Sequence, residues 1–112
     1  FYVIHQSDVS VIRGWHAHQF EKKYFYVVKG SFVFGLVRID NWENPSIDLK
    51  ADTFILSGKK SEVLCVPEGY ANAVKAMEPD SEFIVFSNKM LSEATNDSWR
   101  YDKALWVDWN KF

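Results

Sequence analysis

The apolar residues of this chain come in short runs, each closed within a few positions by Gly, Pro, Asp, Asn or Ser. No other feature constrains the fold as much. The runs are Val9 to Ile12, Tyr24 to Lys29, Ser31 to Asp40, Phe54 to Leu56, Glu62 to Val66, Ala71 to Met77, Glu82 to Ser87 and Leu105 to Trp109. Runs of this length and spacing, rich in Val, Ile, Phe and Tyr, read as the strands of an all-β sandwich or barrel. Only Leu91 to Ala94 suggests a helical turn, and a short one. No repeat, low-complexity tract or linker interrupts residues 1–112, so the chain reads as a single domain.

The longest run sets the layering. Phe32, Phe34 and Leu36 fall on one face of the strand, and Val33, Val37 and Ile39 on the other. Both faces are apolar, so the strand is expected to be covered twice, with a second subunit as one candidate cover. Gly35 in its middle predicts a bend or a close backbone approach. Aromatic residues make up 17% of the chain, which fits a β core with a subunit interface, or a platform for stacking a sugar or a base.

Charge and cysteine content exclude some roles. A net charge of -2 gives no general attraction to nucleic acid or to an anionic membrane, so an anionic ligand would have to be held by a few placed Arg and Lys residues. No apolar run approaches the roughly 20 residues needed to span a bilayer. Nothing reads as a targeting signal, although Phe1 rather than Met at the start is expected to reflect a missing N-terminal segment. Cys65 is the only cysteine, so no disulfide framework supports the fold, and a reducing, cytoplasmic location is expected.

The densest polar motif is Arg13-Gly14-Trp15-His16-Ala17-His18. Residues i and i+2 of a strand share a face about 6.6 Å apart, so His16 and His18 converge on one space. Imidazoles titrate near neutrality, which suits such a pair to proton transfer or metal binding. His5 has no such company and is expected to be structural or exposed.

This motif and the later Pro67-Glu68-Gly69-Tyr70-Ala71-Asn72 resemble the two motifs of the cupin superfamily. Metal-binding cupins supply two His and a Glu from the first motif and a third His from the second. Here Lys22 and Lys23 stand where that Glu would be, Glu21 is slightly out of register, and Asn72 takes the place of the third His. Two imidazoles are too few for a divalent site, which wants three or four protein ligands, so neither a metal nor another cofactor is expected.

A closer likeness follows. Arg13-Gly14-Trp15-His16, Lys23 seven residues before Gly30, Val66-Pro67-Glu68-Gly69-Tyr70-Ala71, and Asp102-Lys103-Ala104-Leu105-Trp106-Val107-Asp108-Trp109 together resemble the dTDP-4-dehydrorhamnose 3,5-epimerase family. The resemblance implies a double-stranded β-helix, the cupin jelly roll. It implies a homodimer acting on a nucleotide-linked 4-keto-6-deoxy sugar, in deoxysugar and surface polysaccharide synthesis. His16 matches the family's general base, Asp102 its dyad partner, and Lys23 and Arg13 residues used at the substrate. A neutral imidazole can take the weakly acidic proton beside the ketone, and a carboxylate behind it fixes the tautomer. Lys23 suits the developing enolate oxygen, and Arg13 a diphosphate. Strict alternation sets Arg13 and His16 on opposite faces, so the role of Arg13 needs a bulge, for which Gly14 is the obvious place.

Two departures bear on the reaction. The family carries a Tyr near residue 85 that can reprotonate the opposite face of the sugar, whereas Val85 cannot donate a proton. Tyr26 and Tyr101 are the candidate replacements, and they join Asn72, which replaces a His typical of the family, as substrate-site residues. A single-centre epimerase is then easier to support than a two-centre one. His18 completes an Arg-Gly-x-His-Ala-His pattern similar to that of sugar 3,4-ketoisomerases, in which two His shuttle a proton between neighbouring carbons. The alternatives to an epimerase are thus a 3,4-ketoisomerase and, given Val85, a nucleotide-sugar-binding cupin without turnover.

Overall fold

A computed structural model describes residues 1–112. The alternation of apolar and polar residues folds into nine strands: β1 (Tyr2–Gln6), β2 (Ile12–Ala17), β3 (Lys23–Lys29), β4 (Ser31–Arg38), β5 (Asp52–Ser57), β6 (Val63–Val66), β7 (Tyr70–Ala76), β8 (Ser81–Ser87) and β9 (Trp99–Arg100). One short helix, α1 (Leu91–Ala94), precedes β9. The strands form two antiparallel sheets, a four-stranded one in the order β1-β8-β3-β6 and a five-stranded one in the order β5-β4-β7-β2-β9. One expected boundary differs: Val9 lies in a turn before β2. β1 is a strand beyond the expected runs, its alternation masked by His5 and Gln6.

The sheets pack face to face on an apolar core. Phe25 and Val27 of β3, Phe83 and Val85 of β8 and Val66 of β6 meet Phe32, Phe34 and Leu36 of β4, Leu56 of β5 and Val74 and Ala76 of β7. The rings of Phe25, Phe32, Phe34 and Phe83 interlock, four of their pairs having centroids 4.8 to 5.3 Å apart. Such offset and edge-on arrangements are the favoured ones for aromatic quadrupoles.

The twice-apolar strand β4 is covered twice, and its second cover is the chain's own tail. The outward face of the five-stranded sheet, carrying Val33, Val37, Ala71, Ala73, Ala17 and Trp15, is buried beneath Leu105, Trp106, Val107, Trp109 and Phe112. The segment Leu105 to Trp109, expected as a closing strand, is therefore an irregular strap. Trp106 adopts φ +66°, which breaks the extended run. The indole N–H groups tie the strap down: Trp15 donates to the Leu105 carbonyl, Trp106 to that of Ser46 and Trp109 to that of Lys103. A Cβ at Gly35 would sit 2.8 Å from the Trp15 indole, so the close approach expected there is real, and its cause is the ring lying across β4.

The two sheets therefore differ on their outer sides. The outer face of the four-stranded sheet presents Val3, Val63, Cys65 and Phe86 exposed, beside half-buried Tyr24, Tyr26 and Ile84, with no segment of the chain laid over it as the strap covers the other sheet.

Candidate functional site

At one end of the sandwich the inward-facing residues change from apolar to polar. On β3 the series Val27, Phe25 is followed by Lys23, and on β8 the series Phe83, Val85 is followed by Ser87. Opposite them, β7 runs from Ala76 and Val74 to Asn72, which pairs with His16 of β2. The interior opens here into a cavity of about 1000 Å³ lined by Tyr2, His16, His18, Glu21, Lys23, Ser87 and Arg100, with the 88–95 segment at its mouth.

A backbone irregularity brings the first motif into position. Arg13 pairs with Val74 and His16 with Asn72, so three steps along β2 match two along β7 and a bulge lies between. Gly14 sits in it at φ +143°, and a Cβ there would fall 2.5 Å from that of Ala73. The bulge restores Arg13 to the face of His16, as the sequence required. The guanidinium is exposed, and its charge acts on His16 in one sheet and on Tyr2 in the other.

His16 lies beside Arg100, the residue paired with it across β2 and β9. The guanidinium donates to Nε2 at 2.8 Å. Burial, first, and then the charges of Arg100 and Lys23 push the imidazole pKa down to about 4. The ring is neutral at physiological pH, its Nε2 lone pair is occupied by Arg100, and its proton must sit on Nδ1.

The partner expected for His16 is elsewhere. Asp102 is exposed and its carboxylate accepts from the Ala104 amide in a local turn, as short Asp side chains do. The carboxylate that does approach an imidazole of the His16/His18 pair is Glu21, whose Oε1 lies 3.2 Å from His18 Nδ1. Glu21 is 6% exposed and its Oε2 accepts from the Ser87 hydroxyl. His18 Nδ1 also meets the backbone carbonyl of Asp97, and the Asp97 carboxylate accepts from the amides of Gln19 and Phe20. Lys23, 8% exposed, has its pKa lowered by burial, partly offset by the charge of Glu21.

The remaining expected residues divide. Asn72 is beside His16, but its amide donates to the His16 carbonyl and so supports the bulged strand rather than facing the cavity. Tyr26 alternates with inward-facing Phe25 and Val27, which turns it to the outer face of the four-stranded sheet. Tyr101 packs on Trp106 beneath the strap, and its hydroxyl donates to the Trp42 carbonyl. Neither tyrosine can stand in for the phenol missing at Val85, because both face away from the sandwich interior. His5 is exposed, as expected, between Asp80 and Glu82.

The sequence pattern does not announce four residues of the cavity: Tyr2, Ser87, Arg100 and, as a partner for an imidazole, Glu21. Tyr2 pairs directly with Val85 across β1 and β8, so it shares that residue's inward face, displaced by one strand. Its phenol pKa is raised by burial and by Glu21, with Arg13 opposing. Val85 itself is 1% exposed, within the apolar core. Recognising β1 as a strand would have exposed the pairing. No three of the His, Cys, Asp and Glu side chains gather closely enough to hold a metal.

Comparisons with known proteins bear on the fold and the family. A search of the curated proteins finds no match. Among solved structures, a dTDP-4-dehydrorhamnose 3,5-epimerase from Bacillus anthracis, with TDP and PPi bound, superposes with a TM-score of 0.78 at 20% identity, over 96% of this chain and 63% of that one. A 3,4-ketoisomerase from Helicobacter canadensis gives 0.70 at 18% identity, over 89% and 66%. The capsular polysaccharide assembling protein CapF from Staphylococcus aureus gives 0.69 at 24%, over 87% and 25%. The chain thus spans about a quarter of CapF and under two-thirds of the Bacillus protein. These likenesses carry the fold, the jelly-roll sandwich expected from the sequence. The sequence model of dTDP-4-dehydrorhamnose 3,5-epimerase matches residues 3–112, and the chain belongs to that family.

Proposed function

We propose that this protein is a dTDP-sugar epimerase, acting on a 4-keto-6-deoxyhexose in deoxysugar or surface polysaccharide synthesis. The observation that carries the reading is the convergence of two imidazoles, a buried lysine and a phenol on one cavity between the sheets. An imidazole of the His16/His18 pair removes the proton beside the C4 ketone, and the electron pair moves onto the ketone oxygen. The Lys23 ammonium stabilises that enolate in a site where burial strengthens its field. Arg13 and Arg100 supply the cations for the diphosphate. Tyr2, kept protonated by burial and by Glu21, returns a proton to the opposite face from the other sheet. The phenolate then recovers a proton from water as the imidazolium releases one.

Deuterium exchange from solvent into a dTDP-4-keto sugar tests the reading. Exchange at C3 or C5 is expected, lost when His16 and His18 are both replaced by Ala. No exchange in the wild-type protein would remove the proposal. The ketoisomerase reading draws support from His18 in the cavity, and it predicts a product with its carbonyl at C3 and no inversion at C5.

The bare outer face of the four-stranded sheet supports a homodimer built on Val3, Val63 and Phe86, since a sheet face of this kind is costly in water. Phe86→Glu is expected to yield monomers by light scattering. An unchanged mass would place the interface elsewhere. The exposed free thiol of Cys65 suits a reducing cytoplasm. No helix is long and apolar enough to cross a membrane.

A further inference from the structure

The two imidazoles of the cavity are in different states. The hydrogen-bond partner of His16 Nε2 is Arg100, whose guanidinium has donors and no acceptor, so the lone pair of that nitrogen is taken. At His18, Nδ1 faces the Asp97 carbonyl and the Glu21 carboxylate, which are both acceptors. Two acceptors exclude a lone pair on that nitrogen, so Nδ1 carries the proton and donates it to the Asp97 carbonyl, and the tautomer that remains has its free lone pair on Nε2, on a side chain that lines the cavity.

Glu21 provides a second, independent observation. Its Oε1 is inaccessible to solvent and receives no hydrogen bond, although the His18 ring stands 3.2 Å away. A buried carboxylate oxygen without a donor is costly, and a positive charge arriving on the adjacent ring offsets that cost. Ser87 fixes the other oxygen, and Asp97 clamps the Gln19 and Phe20 amides between the two residues. The pair is held in place before any ligand arrives.

We infer that His18, positioned by Glu21, is the base that begins proton transfer in this cavity, a role the sequence motif assigned to His16 and Asp102. The inference rests on the isomerase reading above. His18 Nε2 takes the proton from the carbon beside the ketone and the C–H electron pair forms the enolate. The imidazolium so formed lies between the Asp97 carbonyl and the Glu21 carboxylate. Glu21 acts through the His18 ring, as a positioning residue. His16, with its lone pair on Arg100, is available for a later step only when the guanidinium leaves it.

Two measurements test this. In the wild-type protein, long-range proton–nitrogen correlation spectra are expected to show His18 as the Nδ1–H tautomer at neutral pH, and an Nε2–H tautomer would overturn the inference whatever the enzymatic outcome. In Glu21→Gln, the kcat for deuterium exchange is expected to fall by roughly 10²–10⁴-fold, with KM and dTDP binding little changed and part of the loss recovered in Glu21→Asp. Exchange at the wild-type rate in Glu21→Gln, with abolition in His16→Ala, would return the role to His16 while leaving the isomerase reading intact. Absence of exchange in the wild-type protein would count against the isomerase reading alone, since the tautomer still decides the dyad.

Discussion

The two halves of the sandwich interior are built from the same strands and differ only in what those strands carry. Along β3 the inward series runs Val27, Phe25, Lys23, along β8 Phe83, Val85, Ser87, and along β7 Ala76, Val74, Asn72. The first members close on one another as an aromatic core. Of the last members, Lys23 and Ser87 face a cavity with His16, His18 and Glu21, while Asn72 supports the strand that carries His16. The difference teaches that alternation chooses the face while residue type, position by position, decides where packing stops. A buried lysine and a buried glutamate at the end of such a series are costly to the fold and mark the place where chemistry can be done.

If the halves are specialised as this implies, their substitutions should act on different properties. The largest effect is expected in the closed half. Phe83→Ala removes a ring that meets Phe25, Phe32 and Phe34, and should cost about 3–5 kcal/mol by denaturant titration. A loss below about 1 kcal/mol would show that the core is not centred there.

In the open half the sign should reverse. Lys23→Met replaces a buried charge by a side chain of similar reach, so stability should be unchanged or rise by about 1 kcal/mol. Exchange should fall by roughly 10²–10³-fold, as for loss of an oxyanion donor. A variant that is destabilised yet still active would erase the distinction between the halves.

The smallest effect is on acid stability. The pKa of His16 is about 4 in the folded protein, below its ordinary value of 6.5. Between those values the unfolded chain binds a proton that the folded chain does not, so stability falls as pH drops from about 6.5 to about 4. His16→Gln removes this contribution and should flatten that part of a plot of Tm against pH. An unaltered slope would mean that burial and Arg100 do not hold the ring neutral.

Much of this could be read from the residues alone. The short punctuated runs determine an all-β chain, and the two apolar faces of β4 demand two covers. Gly35 announces a close approach, and Gly14 is the one place where β2 can bulge to bring Arg13 round to the face of His16. His16, His18 and Lys23 declare themselves by type and spacing, because strand alternation is local and has a fixed period.

What the sequence could not decide was which distant groups meet. The second cover of β4 is a strap more than 60 residues away, because the indoles of Trp15, Trp106 and Trp109 find hydrogen-bond acceptors and apolar faces together on the outer side of the five-stranded sheet. Tyr2 reaches the cavity through its register with Val85, and Arg100 reaches His16 through the pairing of β9 with β2. Asp102, two residues further on, turns into its own Asx turn and misses the imidazole. Local pattern fixes the face on which a side chain stands; strand register, set by packing over the whole sheet, fixes its neighbour.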